Sequence, residues 1–210
     1  MRGKGRDKFG SQKHSKAPAP IVLVDSCVWH RSFTRNVFRH LAIEGALRMR
    51  WSRTIEMEWI ESVLRARPEI SRSKLISVRD RFRLDFPDGL APDLLPRLKL
   101  PHLPDPNDAH VLDAALSTRA SVICTLDRRG FPSRILHPLG LSTMGPKELL
   151  ADCVLNRLPA TARALQDHRS NLTNPRYPID DYIDALVRAD LVADTIRPAK
   201  LKDALLFKPP

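Results

Sequence analysis

The 210-residue sequence predicts an α/β fold, a parallel sheet flanked by helices, with a C-terminal helical extension. Three observations predict it. Short apolar runs end in an acid, as in IVLVD at 21–25 and SVICTLD at 121–127. Segments with apolar residues at helical spacing separate these runs, and such alternation favours parallel strand pairing. From about residue 145 onward the pattern is helical.

Each element has a local signal. The strand at 21–24 is β-branched, too short for a helix core, and bounded by Pro20. The apolar spacing from Phe33 predicts a helix that ends at Gly45, and RMRW at 48–51 predicts a short strand. Ser52 is a suitable N-cap for a helix through 53–67. Further helices are predicted at 69–85 and 106–119, strands at 98–102 and 121–126, and helical breaks at Pro159 and 174–178.

Composition divides the chain into three predicted parts: a disordered basic arm at 1–19, a domain at 20–148 and the helical extension at 149–210. The formal net charge is +11, and residues 1–19 contribute +5 of it through six Lys or Arg against one Asp. A positive excess favours a polyanionic partner such as nucleic acid. The plainer alternative is a solvated basic surface.

The three cysteines, Cys27, Cys124 and Cys153, are widely spaced and match neither a disulfide framework nor a zinc motif. We therefore expect a reducing, cytoplasmic environment, with Cys27 and Cys124 as small buried hydrophobic residues. The sequence holds no apolar run of membrane-spanning length, and we expect no membrane partner. The three tryptophans stand among apolar neighbours and are predicted to lie in the core: Trp29, Trp51 and Trp59.

Two acids, Asp25 and Asp127, stand just beyond the ends of predicted strands. Ligands of open parallel sheets bind at the carboxyl ends of the strands, so both acids are candidates for a site. Acidic side chains crowded together are costly unless a cation lies among them, which indicates a metal site. The alternative is that each Asp only starts a turn, a role that Asp favours.

A third acid, Asp108, shares a helical face with apolar residues and is predicted to point inward. The competing interpretation is local, with Asp105 as N-cap, Pro106 as the first helical residue and Asp108 in a capping box. On the same helix, His110 and Asp113 fall on other faces and are expected to be solvated.

The helix at 53–67 offers a fourth acid. A helical wheel places Glu56 in the apolar sector and Glu58 on the polar side, so periodicity alone nominates Glu56. Cys27 stands where a phosphatase with a DxD strand end needs its second acid, which argues against that enzyme class.

Four segments resemble, in order and spacing, the successive motifs of PIN-domain ribonucleases. They are VDSCVW at 24–29, RMRWSRTIEMEWIESVL at 48–64, LPDPNDAHVLDAAL at 103–116 and ICTLDRRGFP at 123–132. The resemblance covers roughly 20–145 and is greatest to a bacterial branch of toxins akin to VapC. NPRYPIDDYIDAL at 174–186 is similar to the helical tail of that branch.

The resemblance implies that four carboxylates are both catalytic and metal-binding: Asp25, Glu58, Asp108 and Asp127. It prefers Glu58 to Glu56. It matches Thr125 to a hydroxyl residue beside the last acid, and Arg128 and Arg129 are placed to meet the substrate backbone, as is the basic segment 69–85. One departure is Gly130, where related sequences commonly carry an Asp.

The implied activity is hydrolysis of RNA with Mg²⁺ or Mn²⁺, which leaves 5′-phosphate and 3′-hydroxyl ends. The toxin resemblance implies an antitoxin partner, and PIN proteins often form homodimers. The alternative is a non-catalytic PIN-like module that binds RNA or protein.

Overall fold

A computed structural model of the chain describes residues 18–92, 100–174, 176–196 and 198–206. The strands are β1 (Ile21–Val24), β2 (Arg48–Arg50), β3 (Val122–Cys124) and β4 (Ser142–Met144). The helices are α1 (Ser26–Trp29), α2 (Ser32–Ile43), α3 (Arg53–Ala66), α4 (Arg72–Asp85), α5 (Ala109–Ser117), α6 (Ser133–Leu136), α7 (Pro146–Asn156), α8 (Leu158–Asn171), α9 (Ile179–Arg188) and α10 (Pro198–Leu206). Short 3₁₀ turns precede α5 at Pro106–Asp108 and follow α6 at His137–Leu139.

The four strands form one parallel sheet in the order β2-β1-β3-β4, which confirms the predicted α/β fold. Strand β2 lies on one side of β1, whereas β3 and β4 lie on the other side. The strand order therefore reverses between β1 and β3. Side chains just beyond β1 and β3 meet at this point, which is where open α/β sheets bind ligands. The register pairs Val24 with Cys124 and therefore places the next residues, Asp25 and Thr125, side by side.

Local signals explain several helix boundaries. The Ser52 side chain accepts a hydrogen bond from the backbone N–H of Ile55 at 3.2 Å and caps α3, as predicted. After α2, Gly45 adopts a φ of 74°, a left-handed conformation that glycine adopts with little strain. Asp105 accepts from the N–H of Asn107 at 2.8 Å and has the predicted capping role. Asp108 makes no side-chain capping bond, so its carboxylate is not part of a capping box.

The predicted helical break at Pro159 is confirmed to within two residues, because α7 ends at Asn156 and α8 begins at Leu158, with Pro159 in its first turn, where no backbone N–H is needed. Two other features differ from the expectations. Of the strand predicted at 98–102, residues 98 and 99 lie outside the described residues, and 100–102 form no strand. Strand β4 was not predicted, because Ser142–Met144 are half-buried and carry no run of β-branched apolar residues. Residues 1–17 of the predicted arm are also outside the described residues.

The predicted burial of the tryptophans is confirmed, since Trp29, Trp51 and Trp59 are at most 1% exposed. The Trp29 ring makes edge contacts with Trp51 and Phe82 and stacks on Trp59. Its Nε1–H donates to the carbonyl of Val24 at 3.0 Å, at the end of β1. The aromatic cluster therefore fixes the segment that follows the first strand. Across the described residues, no helix combines the length and apolar character that a membrane crossing needs.

The C-terminal helices pack on the sheet domain through α2, which contacts α8, while α10 contacts α8 and α9. At this interface the buried ring of His168 hydrogen-bonds to the Tyr182 hydroxyl at 2.7 Å and contacts Phe33 and His40. Burial, assisted by His40, lowers the pKa of His168 to about 4. The interface thus depends on a neutral imidazole.

We expect this histidine to make the fold acid-sensitive. The unfolded chain protonates His168 near pH 6.5, whereas the folded chain resists protonation until about pH 4. Stability therefore falls as pH drops through this window, by roughly 3 kcal/mol from this one residue, and the contribution is constant below it. Urea unfolding between pH 7 and pH 4 should show a shallower acid loss for His168→Gln than for the wild type. Identical pH profiles would contradict the assignment.

Candidate metal centre

The site is built around Asp25, which directly follows β1 and is 9% exposed. Its backbone N–H extends the sheet pairing by donating to the carbonyl of Cys124 at 3.0 Å. Its Oδ1 accepts from the N–H of Ser26 at 2.6 Å and caps the short helix α1. Asp25 therefore starts a turn, which was the alternative to a site role in the sequence analysis. Its other oxygen, Oδ2, has different partners.

That second oxygen, Oδ2 of Asp25, accepts from the buried Thr125 hydroxyl at 2.7 Å. It also accepts from the Cys27 thiol at 3.2 Å. Burial, together with the Asp25 charge, raises the pKa of Cys27 to about 11, which keeps the thiol protonated as a donor. The expectation that Cys27 is only a small hydrophobic residue is therefore wrong, whereas Cys124 is fully buried as expected.

Asp127 follows β3 by three residues and lies in a loop ordered by its own side chain. Its Oδ1 accepts from the N–H groups of Arg129 at 3.1 Å and Gly130 at 3.2 Å. Its backbone N–H donates to the Thr125 hydroxyl oxygen at 3.0 Å, so the same hydroxyl connects Asp25 with the Asp127 loop. Thr125 therefore links the acids that follow the two central strands.

Gly130 lies against the remaining acids. A Cβ built on it would meet Oδ2 of Asp108 at 2.7 Å and Oδ2 of Asp127 at 3.0 Å. The glycine therefore lies where two carboxylates approach the backbone from different segments. A side chain at this position would therefore contact both acids.

Asp108 ends the 3₁₀ turn before α5 and is half-buried. Its pKa is raised, first because burial removes hydration and then because the charges of Asp105, Asp25 and Asp127 lie nearby. This like-charge crowding disfavours the ionised carboxylate, and a bound cation reverses it. The structure thus brings Asp25, Asp108 and Asp127 into one acidic environment.

Glu58 lies on α3 and is connected to these acids through His110, whose pKa is raised, against the effect of burial, by Glu58 and then by Asp25 and Asp108. Oε1 of Glu58 lies 2.9 Å from Nε2 of His110. Burial acts to raise the pKa of Glu58, but the hydrogen bonds from His110 and Ser26 outweigh it and leave the pKa lowered. For His110 burial acts to lower the pKa, but the bond and charge of Glu58 outweigh it and leave the pKa raised.

Glu56 occupies a different position. It is 3% exposed, so the wheel is right that it points inward. Its Oε1 accepts from Nε1 of Trp51 at 2.8 Å and Nε of Arg83 at 2.9 Å, and its Oε2 accepts from the same guanidinium. Glu56 is thus held in an internal ion pair, away from the partners of Glu58.

Sequence reasoning missed two contributors, His110 and Cys27. The expectation that His110 and Asp113 are solvated is wrong, because both are half-buried and His110 bonds to Glu58. Helical periodicity reports only the face of α5 and carries no information about an acid on α3. For Cys27, its place two residues after Asp25 is a signal, because the first turn of α1 brings its thiol back to the carboxylate.

The donor set fits a hard divalent cation. All four acids offer oxygen ligands, which Mg²⁺ and Mn²⁺ prefer. The absence of a Cβ at Gly130 allows the carboxylates of Asp108 and Asp127 to approach this backbone closely. Within the described residues, no three Asp, Glu, His or Cys side chains are already grouped closely enough to hold one ion. Asp25, Asp108 and Asp127 therefore share one acidic environment, to which Glu58 is connected through His110, and they do not form a finished coordination shell.

The basic residues near the site differ in their partners. Arg128 and Arg129 are exposed in the loop after Asp127, and Arg128 makes only a 3.4 Å contact with Glu148. On helix α4 four arginines pair with carboxylates: Arg72 with Glu61, Arg79 with Asp80, Arg81 with Asp85 and Arg83 with Glu56. Helix α4 therefore offers fewer unpaired cations than its sequence indicates.

Open parallel α/β sheets bind their ligands at the carboxyl ends of the strands beside the switch point, and this sheet carries acids there. The family model for the PIN domain matches residues 22–129, just over half of the chain. The chain therefore belongs to the PIN-domain family. PIN domains are generally nucleases and typically use divalent metal ions, so the family indicates a nuclease-type hydrolase. No curated protein and no solved structure gave a significant match.

The close approach at Gly130 gives a test of the site's geometry. In Gly130→Ala the new methyl group should push the carboxylates of Asp108 and Asp127 apart. We expect nuclease activity to fall about 10- to 100-fold, because small misplacements at a reacting centre cost rates of that order. The free energy of unfolding should change by less than about 1 kcal/mol, since Gly130 has no left-handed φ. Activity equal to the wild type would show that the close approach of Asp108 and Asp127 at Gly130 is not needed for activity.

Proposed function

We propose that this PIN-domain protein is an endoribonuclease that depends on Mg²⁺ or Mn²⁺, with Asp25, Glu58, Asp108 and Asp127 as its metal-binding and catalytic acids. The observation that carries the proposal is the convergence of two acids at Gly130, where a Cβ would lie 2.7 Å from Oδ2 of Asp108 and 3.0 Å from Oδ2 of Asp127. The raised pKa of Asp108, caused first by burial and then by Asp105, Asp25 and Asp127, agrees with it. Crowded acids at the carboxyl ends of the central strands need a cation to offset their repulsion. The family supports nuclease chemistry for such a site.

The metal would activate a water for attack on a phosphodiester and neutralise charge on the leaving oxygen. The chain's own residues prepare the acids for this role. Thr125, Cys27 and Ser26 direct donors at Asp25 and keep its orientation fixed. The N–H groups of Arg129 and Gly130 hold one oxygen of Asp127. No side-chain nucleophile is needed in this scheme.

We propose RNA as the substrate because the acidic site lies in a chain with a formal net charge of +11. Arg128 and Arg129 directly follow Asp127 and are exposed, which supports a role for them in contacting phosphates beside the scissile bond. Contacts of this kind supply affinity without base selection. The ion pairs of helix α4 make it a weaker candidate for backbone binding than this loop.

The test is cleavage of end-labelled single-stranded RNA by the purified chain with Mg²⁺, Mn²⁺ or EDTA. The wild type should cut only with a divalent cation and leave 5′-phosphate ends. Asp108→Asn should abolish cutting, whereas Asp184→Asn, an equal loss of charge on the exposed surface of α9, should not. RNA binding without cleavage under all conditions would instead favour the non-catalytic PIN-like module.

The resemblance to the VapC-like branch supports a more specific role, the toxin of a toxin–antitoxin pair. The partner would then be a small antitoxin that covers the acidic site, and a homodimer is the assembly that PIN relatives favour. Induced expression of the wild type in a bacterial host should arrest growth, and expression of the Asp108→Asn variant should not. Normal growth with active wild-type enzyme would overturn the toxin role and leave the nuclease proposal intact.

A further inference from the structure

Glu58 stands at the border between the buried and exposed sides of helix α3. Its side chain is 39% exposed, the preceding Met57 is 60% exposed, and Glu61 on the next turn pairs outward with Arg72. A glutamate at such a border has three rotatable bonds and loses rotamer entropy when it is fixed. Something must therefore hold Glu58 if it is to act together with the acids on the sheet.

Two polar neighbours hold Glu58, and each lies on a segment that carries another acid. Ser26 directly follows Asp25, and its side chain contributes to lowering the pKa of Glu58. His110 lies two residues after Asp108, and its Nε2 is 2.9 Å from Oε1 of Glu58. Glu58 is thus tied to both of the segments with which it would have to share a metal.

The imidazole of His110 lies in surroundings that restrict its movement, so it can orient Glu58. Its side chain is 26% exposed, and its Nδ1 is buried without a hydrogen-bond partner among the described residues. Within the part of the chain that the structure describes, the polar contact of the ring is therefore the one with Glu58. Because α5 contacts β1, the ring is carried by a helix packed on the central strand. The imidazole can orient Glu58 more firmly than a flexible surface side chain could.

We propose that His110 is a positioning residue of the metal centre, which donates its Nε2–H to Glu58 and directs that carboxylate toward the acids at the sheet edge. The inference rests on the proposed function, since it assigns His110 to the same centre. A partner of this kind acts on a ligand and not on the metal. Removing such partners typically lowers metal affinity by about 10- to 100-fold.

The test measures Mn²⁺ binding to the full chain by titration calorimetry. His110→Leu, which has similar bulk and no donor, should weaken Mn²⁺ binding about 10- to 100-fold. His110→Gln, which retains an N–H donor, should stay within about threefold of the wild type. Thermal unfolding in EDTA should be similar for both variants, which separates loss of the donor from loss of the fold.

A double-mutant cycle with Glu58→Gln makes the result specific, because a purely structural histidine would affect binding independently of Glu58. If His110 acts through Glu58, adding His110→Leu to Glu58→Gln should change Mn²⁺ affinity by less than about threefold. A full additional loss in the double variant, or wild-type affinity in His110→Leu, would overturn the proposal.

These measurements distinguish a failure of the proposed nuclease function from a failure of the proposed role of His110. A wild type that binds Mn²⁺ but does not cut RNA would refute the proposed nuclease function, and the binding cycle would still decide the role of His110. A wild type that does not bind Mn²⁺ would overturn both the centre and the role of His110 in it.

Discussion

Asp25→Asn is expected to lower RNA cleavage by at least about 10³-fold while leaving the fold intact. Removing one charged ligand from a metal site sacrifices several kcal/mol of charge stabilisation in the transition state, and each 1.36 kcal/mol is about tenfold in rate. The asparagine retains one carbonyl oxygen to accept from Ser26 N–H, so the cap of α1 survives. Reorientation of the Thr125 hydroxyl can satisfy the new amide.

The measurement is single-turnover cleavage with Mn²⁺, accompanied by urea unfolding in EDTA. The free energy of unfolding should differ from the wild type by less than about 1.5 kcal/mol, the usual net value of one hydrogen bond. Cys27→Ser is the matched control, because its hydroxyl can still donate to Asp25 without altering the charge of the site. Cleavage by Asp25→Asn within tenfold of the wild type would remove Asp25 from the catalytic set.

Arg83→Met is expected to destabilise the fold by about 3–5 kcal/mol, because it leaves the carboxylate of Glu56 buried without its cation. Glu56 is 3% exposed, and of its two donors in the described residues, Trp51 and Arg83, it would retain the Nε1–H of Trp51. The lower end of the range is more appropriate, since the Arg83 side chain is itself 31% exposed. Urea or thermal unfolding at neutral pH measures the loss.

The companion variant is Arg83→Met with Glu56→Gln. The neutral amide can still accept from Trp51, so the double variant should recover most of the lost stability. Mn²⁺ affinity should remain near the wild-type value in this double variant, because Glu56 is held apart from the candidate centre. A cost below about 1 kcal/mol for Arg83→Met alone would show that the ion pair does not stabilise the core.

The second of these predictions depends on a distinction between Glu56 and Glu58 that periodicity could not make. Glu56 and Glu58 are two residues apart on one helix, and the wheel ranks them only by the face they share with apolar neighbours. That ranking identifies Glu56 as inward-facing, which its burial confirms. Burial alone does not define function, because the partner of Glu56 is Arg83, 27 residues later, and that of Glu58 is His110 on another helix.

Gly130 is a second residue whose role the sequence alone could not identify. In the sequence it is only a departure from the pattern of related proteins. In the fold its backbone lies against Asp108 and Asp127, and its lack of a side chain permits this close approach. The assignment of Asp127 to the metal stays a prediction, and its position beside Asp108 has a geometric basis.

The sequence by itself determined the parallel α/β class, the caps at Ser52 and Asp105, the tryptophan core and the placement of Asp25 and Asp127 beyond strand ends. These features depend on residues near one another in the chain, where periodicity and capping chemistry operate. Only the tertiary structure decided which side chains meet: Thr125 with Asp25, His110 with Glu58 and Arg83 with Glu56. Such contacts join segments far apart in sequence, and strand order and helix packing bring them together.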